Sequence, residues 1–170
     1  MLVNTLHKLN HAVDRIYMVA AGIVFIVLIV ASSLQVFTRY VLNASLVGTE
    51  ELARYCFIWM SLLGGSIAVG RWAHTSISVL YDLLSGVPKK GVFCLQNAFV
   101  IVLSVILIAG GITMMMATAN QSTPTLHIPR WVIYLAVPLS GAGMCLHAVE
   151  HILATVLGKN KERFEEEKTA

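Results

Sequence analysis

Two histidine pairs are the first candidates for chemistry in this chain. His7 and His11 stand four residues apart, and so do His147 and His151. Residues at i and i+4 share one helix face, a spacing that can hold a metal ion. Neither pair has a nearby carboxylate arrangement to complete such a site, so they read as histidines at a membrane interface. Haem would need axial histidines on different helices at one depth. His147 and His151 share one helix, and the second and third apolar stretches contain no internal histidine. Cys56, Cys94 and Cys145 are unclustered and lie inside apolar stretches, which fits packing better than a disulfide or a metal centre. No Ser/His/Asp order and no Gly-rich phosphate loop is present.

The other candidates are charges. Arg39, Glu50, Glu51 and Arg54 crowd into one band. Glu50 and Arg54 are spaced i,i+4 in the favourable acid-first order. These four are candidate contacts with a partner, or charges anchored among lipid headgroups at the outer surface. Tyr40, Arg71, Trp72, His74, Asp82 and Trp131 are candidate interfacial anchors.

The elements that position these residues follow from where charge is missing. No Asp, Glu, Lys or Arg occurs in residues 16–38, 55–70, 91–129 or 131–149. Charged residues make up 12% of the chain and apolar ones 57%, against about 25% charged in soluble domains. A charge at a bilayer centre costs roughly 2.5–3.5 kcal/mol on insertion scales. The expected fold class is therefore an all-α integral membrane protein. It has four transmembrane helices, at about 16–38, 50–71, 92–117 and 131–157, in a single domain covering 1–170. Residues 55–70 alone would span only about 24 Å at about 1.5 Å per residue, short of a core of about 30 Å. The second helix must start earlier, with Thr49 as N-cap and Glu50, Glu51 and Arg54 in its first turns. Residues 2–13 and 74–85 show amphipathic spacing and read as short helices lying in the interface. The first apolar stretch exceeds the core of a signal peptide, roughly 7–15 residues, and reads as a retained anchor.

Orientation follows from the basic residues. Lys8, Arg15, Arg71, Lys89, Lys90, Lys159, Lys161, Arg163 and Lys168 fall on the side of the termini; Arg39, Arg54 and Arg130 fall on the other. The positive-inside rule puts both termini in the cytoplasm. The basic residues flank apolar spans instead of forming a stripe with aromatics, which excludes a nucleic-acid partner. The empty span centres argue against a free-standing proton-coupled exporter, which needs an intramembrane carboxylate. Small residues at four-residue spacing, Ser61/Gly65, Ser66/Gly70 and Ala136/Ser140, and the Gly110-Gly111 pair, point to close helix packing.

One block is more specific. It runs Phe37-Thr38-Arg39-Tyr40, then Gly48-Thr49-Glu50-Glu51-Leu52-Ala53-Arg54-Tyr55, then Trp59, Leu63-Gly64-Gly65, Gly70-Arg71, His74 and Asp82. This resembles the small membrane subunit, of the DctQ or SiaQ type, of tripartite ATP-independent periplasmic (TRAP) transporters. The resemblance covers roughly residues 36–84; the rest agrees in hydropathy. Asp82 lies later than the family's acidic position, so that equivalence is loose. The resemblance implies a non-enzymatic accessory subunit in the bacterial inner membrane. It implies a large multispan partner that carries the sodium and substrate sites and that this subunit braces. It also implies a periplasmic substrate-binding protein, contact with membrane lipids, no cofactor in this subunit, and organic-acid uptake of the C4-dicarboxylate or sialic acid class. The competing reading is a membrane anchor for a haem or quinone redox complex.

Overall fold

The computed structural model describes residues 2–43, 46–71 and 87–156. Trp72, His74, Asp82, the expected 74–85 helix and the charged tail lie outside the described residues. The helices are α1 (Leu2–Tyr40), α2 (Val47–Gly70), α3 (Val87–Ala117), a short α4 (Arg130–Tyr134) and α5 (Ala136–Val156). Among the described residues, four segments are long and apolar enough to cross a membrane: Leu9–Tyr40, Val47–Gly70, Leu95–Ala117 and Arg130–Leu153. Their alternating direction places the start of α1, the end of α2, the start of α3 and the end of α5 at one face, called here the termini face. The 118–129 loop and the α1–α2 connection occupy the opposite, loop face.

Three sequence expectations change. Residues 2–13 do not form a separate in-plane helix; they continue without a break into the first span. At about 1.5 Å per residue α1 is about 58 Å long, well beyond the hydrocarbon thickness. Its first turns are held because Asn10 is buried and bonded to α5. Thr49 does not cap α2. The helix begins at Val47 after Leu46, and the Thr49 hydroxyl donates to the Leu46 carbonyl at 2.7 Å. The fourth span is two pieces, α4 and α5, parted at Leu135. Pro138 has no N–H to give the Tyr134 carbonyl, and its ring crowds that carbonyl.

α5 packs against α1, α2 and α3, and is the most buried of the four spans. Small residues let it approach. A Cβ on Gly111 of α3 would lie 2.9 Å from the Pro138 nitrogen, and one on Gly141 of α5 would lie 3.0 Å from the Ser104 carbonyl oxygen. A Cβ on Gly65 of α2 would meet Met144 at 3.3 Å, and Gly143 faces Ser66 and Tyr17. This is the dispersion-driven packing expected of helices in lipid, where apolar side chains gain nothing by leaving a lipid tail. Tyr17 adds a polar tie: its hydroxyl donates to the Leu139 carbonyl at 2.6 Å, joining α1 to α5.

Candidate functional site

Among the described residues, the charged groups and histidines gather at the two faces, with an uncharged interior between them. At the loop face, Glu51 is buried although its neighbours Glu50 and Arg54 are exposed. Its first carboxylate oxygen accepts the Tyr55 hydroxyl at 2.6 Å. The second accepts the backbone N–H groups of Thr125 at 3.0 Å and Leu126 at 3.1 Å. Glu51 therefore ties the first turn of α2 to the loop between α3 and α4, and it is not a surface charge.

That loop is ordered by its own bonds. Thr123 N–H donates to the Ile128 carbonyl at 2.9 Å, and Arg130 N–H to the Gln121 carbonyl at 2.9 Å. The Thr123 hydroxyl oxygen accepts Ile128 N–H at 3.1 Å, and the Arg130 guanidinium donates to the Gln121 side chain at 2.9 Å. Four residues after Glu50, Arg54 pairs with it at 3.2 Å, and both side chains are about half exposed or more, at 67% and 49%. Arg39 and Tyr40 are exposed at the same face, and Trp131 is exposed at the start of the fourth span.

The termini face holds a denser cluster that the sequence reading missed in part. His147 is 2% exposed, Glu150 3%, Asn10 3% and His151 5%. Asn10 donates to the Glu150 carboxylate and to the Leu146 carbonyl at 3.3 Å. His7 Nδ1 lies 3.0 Å from the other Glu150 oxygen, and its ring stands edge-on to His11 at 4.4 Å. His147 Nε2 lies 3.1 Å from Asp14 Oδ1, an ion-pair distance without hydrogen-bond alignment. His151 Nε2 lies 3.3 Å from the Val69 carbonyl of α2.

His147 and His151 are thus buried parts of an inter-helix clasp, which His7 joins from a partly exposed position, while His11 stays exposed beside it. Asp14 and Glu150 were not among the candidate residues picked out from the sequence. A signal was available: Asn10 and Asp14 share a face at i,i+4, as do His147 and His151, with Glu150 at i+3 from His147. Only the packing shows that these faces meet. Among the described residues, no group of three His, Cys, Asp or Glu side chains is arranged to hold a metal ion.

Chemically, both clusters are built to tie helices together. The Glu51 carboxylate is occupied by three donors, and Asp14 and Glu150 face imidazoles and an amide. Neither cluster presents an open nucleophile, and the span centres carry no charge.

The family comparison agrees with this reading. The model for the DctQ component of tripartite ATP-independent periplasmic transporters matches residues 28–158. The chain belongs to the DctQ family. The family is a transporter component, not an enzyme, and the four spans make the chain a multi-pass protein of the bacterial inner membrane. The chain is 30% identical over 109 residues to the C4-dicarboxylate TRAP transporter small permease protein DctQ of Rhodobacter capsulatus, covering 62% of this chain and 48% of that one. It is 35% identical over 80 residues to the sialic acid TRAP transporter small permease protein SiaQ of Vibrio cholerae, covering 45% and 44%. The matches thus span about half the length of these two relatives. A third relative, the isethionate TRAP transporter permease protein DctMQ of Oleidesulfovibrio alaskensis, is 27% identical over 122 residues, 66% of this chain but 18% of that protein.

Proposed function

We propose that this DctQ-family chain is the small accessory subunit of a sodium-coupled TRAP transporter for organic acids, and that it braces the scaffold of a large multispan subunit. The observation that carries this reading is the distribution of charge. Charged groups sit at the two faces, the buried ones among them tied into the bundle's own contacts, and no charged group lies at mid-span to bind a substrate or an ion. The sodium and substrate sites then belong to the partner chain. The small share of the Oleidesulfovibrio protein that this chain matches supports a much larger companion.

Both termini lie in the cytoplasm in this reading, since the order of the apolar stretches in the sequence assigns nine of the twelve basic residues to the side of the termini. A periplasmic binding protein delivers the substrate to the loop face. The C4-dicarboxylate and sialic acid classes are the substrates suggested by the relatives. Arg39, Glu50 and Arg54 remain exposed on the loop face and are the candidate partner contacts there, whereas Glu51 acts inside the subunit. No observation favours a haem or quinone anchor.

The test is purification of the tagged chain from native membranes, followed by identification of what accompanies it and uptake assays with and without sodium. A large multispan protein should copurify, and deletion of the chain should abolish sodium-dependent uptake of an organic acid. Purification of the chain alone, or a Soret band in its spectrum, would overturn the reading. Charge reversal at Arg54, which points outward, tests the interface role separately. Unchanged complex yield and uptake would remove Arg54 from the interface.

A further inference from the structure

We propose that the termini-face end of the packed α1–α2 pair binds the headgroup of an anionic phospholipid, with Arg15 and Arg71 as its ligands. The Arg71 guanidinium lies 3.5 Å from the Met18 sulfur of α1. Arg15 precedes Met18 by three residues, so the two are neighbours on one helix face, about 5–6 Å apart at Cβ. Two exposed arginines from different helices therefore flank the same exposed methionine.

Their depth suits a headgroup. Arg15 immediately precedes the first uncharged stretch and Arg71 immediately follows the second. Both mark the border of the hydrocarbon. The nearby carboxylates do not compete: Asp14 is turned to His147, and Glu150 to His7 and Asn10. Among the described residues, the outward charge at this corner is cationic. A guanidinium pairs with a phosphodiester through two parallel N–H donors.

Space for the acyl chains lies directly beneath. Gly22 is one turn below Met18, and Gly64 is two turns below Arg71 on the face of α2 that carries it. A Cβ built on either glycine meets nothing within 4 Å. Ile23 and Ile26 border Gly22 and are exposed, which makes the surface there apolar. Anionic lipid is preferred over zwitterionic lipid because choline would add a positive charge beside two arginines.

The experiment uses the full chain in nanodiscs of phosphatidylcholine alone or mixed with phosphatidylglycerol. Lipid retained after detergent exchange is counted by native mass spectrometry. Wild type should retain phosphatidylglycerol over phosphatidylcholine by a factor on the order of tenfold, the scale of two arginines near a charged surface. The R15Q/R71Q variant should lose that preference, and R15K/R71K should keep part of it. The R39Q/R54Q variant, altered at the opposite face, should keep all of it. Equal retention of the two lipids by wild type, or an unchanged preference in R15Q/R71Q, would overturn the proposal. So would loss of the preference in R39Q/R54Q to the same extent. Inorganic phosphate alone should not displace the lipid; displacement would reassign the site to free phosphate.

Discussion

Glu50 and Glu51 are adjacent in sequence yet do different work. Glu50 points outward to Arg54, an exposed pair of a kind worth about 0–1 kcal/mol. One residue further round the helix, Glu51 points inward and receives two loop amides and a phenol. Glu51→Gln should therefore free the 118–129 loop. Amide exchange at Thr125 and Leu126 should quicken by roughly tenfold or more, as charge-assisted bonds to backbone donors are lost. Glu50→Gln should leave those amides unchanged. The same contrast holds at the other face. Asp14→Ala leaves the buried His147 ring without its acidic neighbour and should lower stability by about 1–3 kcal/mol, read from thermal unfolding in detergent. A double-mutant cycle between Asp14 and His147 should return a coupling of about 0.5–3 kcal/mol. A coupling near zero would mean that proximity alone, and no interaction, joins them.

α5 is the element on which the others converge, and its glycines and the partners' glycines set how closely they come. Gly70 lies under the His147 ring: a Cβ there would fall 2.8 Å from the ring's Cε1. Gly70→Ala should cost about 1–3 kcal/mol through overpacking. Combined with His147→Ala the cost should be less than the sum, because the smaller side chain vacates the space. Gly111→Ala meets a stiffer obstacle, the proline ring and backbone at Pro138. No second-site trimming should relieve it, apart from a change at Pro138 itself. Thermal unfolding of the two double variants, G70A/H147A and G111A/P138A, compared with their single parents, checks both statements.

Among the described residues, the interior carries no charge, and the charged ties are at the ends with the Tyr17–Leu139 bond between them. α3 is the exception: it is held to the bundle through α5, while α1 and α2 hold each other as well. Removing the α1 N-terminal turns through residue 12 should therefore loosen the termini face without unfolding the spans. Protease sensitivity or exchange should rise around residues 146–151, while the Glu51-bound loop amides stay protected. If the loop face loosens equally, the two ends are coupled through the bundle and the picture of separate clasps is wrong.

The number of crossings, the apolar stretches that make them and the family motif around Glu50–Arg54 were legible in the chain. They depend on local composition, and a bilayer penalises charge residue by residue wherever the fold later places it. The meaning of each charge was not legible. His7 and Glu150 are 143 residues apart, and Glu51 and Thr125 are 74 apart. No periodicity within one helix says which face of another will meet it. His147 and His151 looked like interfacial side chains because they were read on their own helix, although both are buried. The amphipathic start of α1 looked like a surface helix because its polar face had no visible partner. The sequence by itself determined that the chain lives in a membrane and belongs among small transporter subunits. Only the tertiary structure decided that Asp14, Glu51 and Glu150 face inward to imidazoles and amides, because burying a charge is tolerable only where a specific partner arrives to meet it.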